Sequence, residues 1–196
     1  MSKRASPDDR RRDLIDATVR VLAARGAAGA SVRTIAAAAN VSPGLVTHHF
    51  GGVDRLVAAS YDHVAAQVAA ALEEAVDAAG PSPRARLGAY VAANFAVPIA
   101  DPDLLATWLA LWSLARGDAA MLARHEHHYA GFRARLEQLL AECGLPAARV
   151  RLTAIGVTAL VDGLWLELCL SPGSFSADEA RALAAAYLDR SVNSDS

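Results

Sequence analysis

The sequence predicts an all-α fold of about nine helices, and three observations predict it. Alanine, leucine and charged residues dominate a 196-residue chain that is 54% hydrophobic, enough for a real core. The period-two alternation of a half-buried strand is missing, while apolar residues recur at the offsets of a helix face. Gly or Pro punctuates the chain at 26, 29, 51, 52, 80, 81, 98, 117, 144, 146, 172 and 173, which divides it into helices near 8–25, 32–39, 43–49, 54–79, 84–97, 102–115, 119–143, 147–170 and 177–190.

The first helix carries Leu14, Ile15, Thr18, Val19 and Leu22 on one side, stops at Gly26 and is preceded by Arg10, Arg11 and Arg12. The segment SVRTIAAAANVSPGLVTHHF, from Ser31 to Phe50, reads as two short helices around a tight turn, a helix-turn-helix. Ser31 caps the first, and Ile35, Ala36 and Ala39 form its inward stripe. Asn40 suits the left-handed exit, Val41 plugs inward, and Ser42 with Pro43 supplies an N-cap and an N1 proline for the second. Leu45, Val46 and Phe50 hold that second helix. Pro43, Gly44, Thr47, His48 and His49 lie at its start or outer side, where small and hydrogen-bonding residues suit phosphates and base edges. A helical hairpin packed inside a larger bundle is the other reading of the same spacing.

Leu56, Val57, Ser60, Tyr61 and Val64 begin a long helix over about 54–79 that joins a domain of residues 1–52 to one of 53–196. Gly80–Pro83 breaks the chain. Ser2–Pro7 and Asn193–Ser196 read as disordered. At about 100° per residue the eighth helix has three faces. Val157, Val161, Leu164 and Leu168 form an aliphatic face for the core. Gly156, Ala159, Gly163 and Leu170 form a face of mainly small residues. Ile155, Thr158, Asp162, Trp165 and Cys169 combine acid and aromatic groups. The ninth helix adds Ala180, Leu183, Ala184, Tyr187 and Leu188. Together with the small face these point to a four-helix interface between two copies, with Gly156, Ala159, Gly163, Leu183 and Tyr187 at its centre. Burial within one monomer is the alternative.

Charge divides the chain. Residues 1–60 carry nine basic against five acidic side chains, net +4, whereas the whole chain is −2 and the remainder therefore −6. A basic amino-terminal third suggests that this part meets a polyanion; a solvated charged face explains the asymmetry equally well.

The run RDLIDATVRVLAARGAAGASVRTIAAAANVSPGLVTHHFGGVDRL, Arg12 to Leu56, resembles the DNA-binding domain of the TetR family of bacterial repressors. Its GLVTHHF segment and the later ALVDGLWLELCLSPG resemble the branch containing the choline-responsive repressor of the glycine betaine pathway. The resemblance implies a homodimer bound to double-stranded operator DNA of inverted-repeat sequence, with recognition helices roughly 34–36 Å apart. It also implies release by a small-molecule effector. Arg33, Ser42, Pro43, Gly44, Thr47, His48 and His49 would face the DNA. Two positions depart from the family pattern: Thr47 replaces an aromatic residue, and Val53 replaces a lysine that approaches phosphate, which removes one salt-dependent contact.

Trp108 and Trp112 lie one turn apart on the sixth helix, as do Asp162 and Trp165 on the eighth. Tryptophan faces attract cations, by roughly 0.5–2 kcal/mol each, and a carboxylate adds charge neutralisation. These four residues are the candidate ligand set, for an organic cation or another small molecule; core packing is the bland alternative. His125, Glu126, His127 and His128 form a weaker candidate for a metal-responsive regulator, but only His125 and His128 share a face, so no metal and no cofactor is expected. Cys143 and Cys169 make no disulfide framework. The motifs of serine hydrolases, phosphate loops, zinc proteases and di-iron bundles are absent, which argues against an enzyme. The apolar run Ala154–Leu170 is interrupted by Asp162 and Glu167, and no secretory signal is visible, so a cytoplasmic protein off the membrane is expected. A ligand-independent architectural DNA-binding protein is the second functional reading.

Overall fold

The computed structural model describes residues 6–193. Among them the chain forms nine α-helices and one 3-10 turn, with no strand: α1 (Pro7–Arg25), the turn Ala27–Gly29, α2 (Val32–Ala38), α3 (Pro43–Phe50), α4 (Val53–Ala78), α5 (Pro83–Ala93), α6 (Pro102–Ala115), α7 (Ala119–Glu142), α8 (Ala147–Leu170) and α9 (Ala177–Asn193).

Two compact units result. The first consists of the residues up to Ala66 together with Ala106–His125, and the second of Gln67–Leu105 together with the residues from Glu126 on. Helices α4, α6 and α7 contribute residues to both. In the first unit, Leu14, Ala17 and Val21 of α1, Ile35 and Ala36 of α2, Val46 and Phe50 of α3 and Leu56 of α4 form one apolar cluster. Its rim is Ile15, Val32, Val41 and Val53. Val53 therefore packs against core, where a lysine would leave a cation at the surface. In the second unit, Leu72, Leu87, Val91, Leu139, Leu140, Ala154, Val157 and Leu188 are buried, and α9 packs on α5 and α8.

Local chemistry sets most of the helix ends. Ser6 caps α1 through a reciprocal pair of bonds with Asp9, and Pro7 takes N1. Ser6, Pro7 and Asn193 thus belong to capped or helical structure, contrary to the disorder expected of them; residues 2–5 and 194–196 lie outside the described residues. The largest boundary difference is at α5, which stops at Ala93 instead of 97. Asn94 folds its amide onto the carbonyls of Tyr90 (2.9 Å) and Val91 (3.3 Å).

Candidate nucleic-acid interface and effector region

The turn between α2 and α3 is built by hydrogen bonding of the backbone. Asn40 adopts φ +54°, its N–H donates to Ala37 (3.1 Å), and the Val41 N–H donates to Ala36 (2.9 Å). That crossed pair satisfies the last carbonyls of α2 and seats Val41 on the core. Upstream, Ser31 and Thr34 bond reciprocally at the start of α2. Pro43 occupies N1 of α3, and Gly51 closes that helix in the left-handed conformation, at φ +76°. Ser42 sits at the N-cap position, yet its hydroxyl makes no capping bond, so the cap function expected of that hydroxyl is not realised.

Val46 and Phe50 point inward, and Ser42, Pro43, Gly44, Thr47 and His48 are exposed. His49 is half-buried, its ring meeting that of His48 edge-on at 5.0 Å. Arg33, on α2, is exposed. The structure therefore brings six of the seven sequence-chosen residues to the surface of one helix-turn-helix and places the seventh at its edge.

Two of the three arginines at the start of α1 are engaged within the chain. Arg10 pairs with Asp13 at 3.5 Å. Arg11 donates to the carbonyl of His49 at 2.6 Å and lies over the ring of Phe50, 4.3 Å from its centroid. Farther along α1, Arg20 donates to the carbonyl of Ala38 at 3.4 Å. Two arginines of α1 thus hold the carboxyl ends of α3 and α2, where carbonyls lack helical partners and the helix dipole favours a cation.

The four effector candidates divide between the units. In the first, Trp108 is buried, meets Tyr61 edge-on at 5.4 Å and lies 6.3 Å from the half-buried Trp112. Tyr61 also bonds His125 Nδ1 at 3.0 Å, and Arg124 pairs with Asp62. One member of the histidine cluster is therefore tied to α4, and no group of three or more metal-binding side chains occurs among the described residues. In the second unit, buried Trp165 donates its indole N–H to the Asn94 carbonyl at 2.9 Å. Asp162 accepts from the Tyr129 hydroxyl at 3.0 Å. Burial pushes the Asp162 carboxyl up to about 6, although the Tyr129 bond and the Arg133 charge pull it down. Sequence reasoning placed Tyr61 on the fourth helix without its contact to Trp108, and missed Tyr129, which lies one helical turn after His125 on α7.

On α8, Ala154, Val157, Val161, Leu164 and Trp165 are buried. The opposite side is an apolar surface: Leu152 and Leu170 are 70% and 62% exposed, with Ile155, Ala159, Gly163 and Leu166 exposed between them. Ile155 belongs to this outward stripe and not to the acid-aromatic face. Leu183 on α9 is 55% exposed, whereas Ala180, Ala184 and Leu188 turn into their own core. A Cβ at Gly156 would overlap the Tyr187 hydroxyl, so this glycine makes room for Tyr187 of the same chain.

A pair of short helices joined by a left-handed turn, with a polar outer face and an inward Val46–Phe50 anchor, defines the class, a helix-turn-helix DNA-binding protein. Residues 14–59 match the family of bacterial regulatory proteins of the tetR type, and residues 83–193 match the carboxy-terminal domain of BetI-type transcriptional repressors. The chain is 40% identical to the HTH-type transcriptional regulator BetI of Burkholderia ambifaria (strain MC40-6), over the full length of both, and 40% identical to that of Burkholderia thailandensis, covering 96% of each. A transcriptional regulator from Pseudomonas aeruginosa PAO1 superposes with a TM-score of 0.87 at 38% identity, covering 97% of this chain and 94% of that one. A regulator from Saccharomonospora viridis solved in complex with choline has the same fold, with a TM-score of 0.78 at 17% identity, covering 93% and 96%. The chain belongs to the TetR family of transcriptional regulators, with a BetI-type carboxy-terminal domain. It is a DNA-binding transcriptional regulator and not an enzyme; ligand-responsive repression and homodimer formation are typical of that family.

Proposed function

We propose that this chain is a cytoplasmic homodimeric repressor whose two α3 helices read an inverted-repeat operator. Residues 1–52 bind DNA, and residues 53–196 dimerise and receive the effector. The observation that carries the reading is the outward apolar stripe of α8. A stripe of Leu152, Ile155, Ala159, Gly163, Leu166 and Leu170 is costly to leave in water, and a second copy of the same stripe is its self-complementary cover. By length and composition α8 is also apolar enough to cross a membrane. Its buried inner side, carrying Val157, Val161 and Leu164, is that of a packed protein helix. Ala159, Gly163 and Leu183 fit the dimer face directly, and Gly156 and Tyr187 support it from beneath. The test is the double substitution Leu152→Lys with Leu166→Lys. Sedimentation should shift from dimer to monomer, and affinity for a duplex selected from random sequence by the wild-type protein should fall by about a hundredfold or more as bivalency is lost. A persistent dimer overturns the reading.

The effector in this reading is an organic cation recognised at Asp162, and the choline held by the Saccharomonospora regulator supports that class. Asp162 is a half-buried carboxylate with aromatic neighbours, Tyr129 by hydrogen bond and Trp165 one turn away along α8. A bound cation neutralises a charge that burial otherwise disfavours. Trp108 and Trp112 stay in the proposal as aromatic candidates within the first unit. Choline chloride should raise the melting temperature and weaken operator binding. No stabilisation at millimolar choline would remove the cationic effector, and operator binding insensitive to any small molecule would favour a ligand-independent architectural protein.

A further inference from the structure

We infer that Arg11 is a positioning residue for the recognition helix: it sets the orientation of α3 by clamping its carboxyl end and makes no contact with DNA phosphate. Its Nη1 donates to the His49 carbonyl at 2.6 Å, its Cζ stands 4.3 Å from the centroid of the Phe50 ring, and that ring is 6% exposed within the core of the first unit. The guanidinium therefore spends its charge on the negative end of α3 and on an aromatic face.

The clamp matters because α3 is short. Eight residues make about two turns, too few for a helix to hold itself in water. Its orientation depends on what anchors it, and Val46 and Phe50 anchor only the inward side. At the amino end the Ser42 hydroxyl makes no cap. At the carboxyl end Arg11 adds a directional bond, which fixes rotation about the helix axis in a way that apolar contact does not. Outer side chains reach about 5–6 Å from that axis, so a rotation of about 10° displaces Thr47 or His48 by about 1 Å. Base-edge hydrogen bonds do not tolerate such a shift, whereas attraction to phosphate charge does. Arg20 repeats the arrangement more loosely on α2, through the Ala38 carbonyl at 3.4 Å.

Positioning and phosphate contact leave different signatures. The full-length protein is titrated by fluorescence anisotropy, over a range of KCl concentrations, against two duplexes: one selected from random sequence by the wild-type protein, and one of the same composition with shuffled order. Arg11→Ala should lower affinity for the selected duplex tenfold or more, change affinity for the shuffled duplex less than twofold, and leave the slope of log K against log salt unaltered. Equal losses on both duplexes, with the slope reduced by about 0.9 per subunit, would make Arg11 a phosphate contact and overturn the inference. Unchanged selectivity would overturn it as well. If Arg11→Ala does not fold, Arg11→Met decides the matter. That variant keeps an apolar stem against the Phe50 ring but removes the charge and the donor to the His49 carbonyl. Positioning predicts lost selectivity, and unchanged selectivity in Arg11→Met refutes it. Arg11→Lys, which still donates to the His49 carbonyl, should recover most of the selectivity that alanine loses.

Discussion

In the helix-turn-helix, Ile35 and Val46 are completely buried and the outward residues Ser42, Thr47 and His48 are polar; on α8, Leu152 and Leu170 are 70% and 62% exposed although the helix is of ordinary core composition. The amino-terminal unit closes its apolar cluster within one chain and offers water a hydrogen-bonding surface. Helix α8 buries one side and leaves an apolar stripe on the other, beside the exposed Leu183 of α9. The difference teaches where each partner comes from. A polar face on a rigid anchor suits a charged, hydrated polymer, and an apolar face at helical spacing suits another helix of like composition.

The largest expected effect tests that contrast at its root. Ile35→Ala should destabilise the chain by about 2–5 kcal/mol, because a fully buried side chain is removed and neighbours refill its space only in part. Leu152→Ala removes a residue of similar size from the outer side of α8. At protein concentrations low enough to keep the chain monomeric it should change stability by no more than about 0.5 kcal/mol. Urea denaturation of both variants checks the pair. A large loss for Leu152→Ala under those conditions would mean that its side chain is covered within the monomer, and the contrast would fail.

Asp162 gives the next effect, and it sharpens the description of the second unit. Burial pushes its carboxyl up to about 6 in the folded chain, above the 3.8 of a free aspartate side chain, so the native state holds the proton more tightly than the unfolded chain does. The stabilisation is fully present below about pH 3.8 and is lost as pH rises through about 6. At about pH 7.5 the charged, buried carboxylate is a net cost, and Asp162→Asn should raise stability there by about 1–3 kcal/mol, while changing it little at about pH 4. Thermal melts at the two pH values read the difference. An organic cation reverses the preference by favouring the ionised form. Choline binding to the wild type should therefore strengthen as pH rises from about 5 to 7.5 with release of a proton, and Asp162→Asn should lose that dependence.

How far these features could be read from the sequence follows the range of the interactions. Caps, prolines and left-handed exits are local, so the bounds of α6 and α8, 102–115 and 147–170, agree with the sequence reading residue for residue. Asn40, Val41 and Pro43 do what their chemistry suggests. The early end of α5 was less legible because it depends on the Asn94 side chain turning back on its own helix. The partner of Arg11 was not legible because an arginine in a basic run looks the same whether it meets a phosphate or a carbonyl 38 residues away. On α8, periodicity sends Val157, Val161 and Leu164 inward and leaves Ala159, Gly163 and Leu170 outward, as the structure has them, but Leu152 and Leu166 are as apolar as Leu164 and their place in the outward stripe was not legible. The sequence likewise placed Trp108 and Asp162 each on its own helix, and could not show that they fall in different compact units.

The smallest effect separates two serines that the sequence treats alike. Ser31 and Ser42 both stand at helix N-caps, but the Ser31 hydroxyl accepts from the Thr34 N–H at 3.2 Å and the Ser42 hydroxyl makes no capping bond. Ser31→Ala should therefore cost about 0.5–2 kcal/mol in a urea melt, the usual loss for an occupied cap. Ser42→Ala should leave the melt within about 0.5 kcal/mol of wild type. Its hydroxyl is exposed at the amino end of α3, where backbone N–H groups favour an anion, so the same substitution should weaken binding to a selected duplex by about three- to tenfold, one hydrogen bond to phosphate per subunit. Stability lost in Ser42→Ala with affinity intact would return Ser42 to an ordinary cap. Affinity lost with stability intact would show that this hydroxyl is left uncapped for DNA.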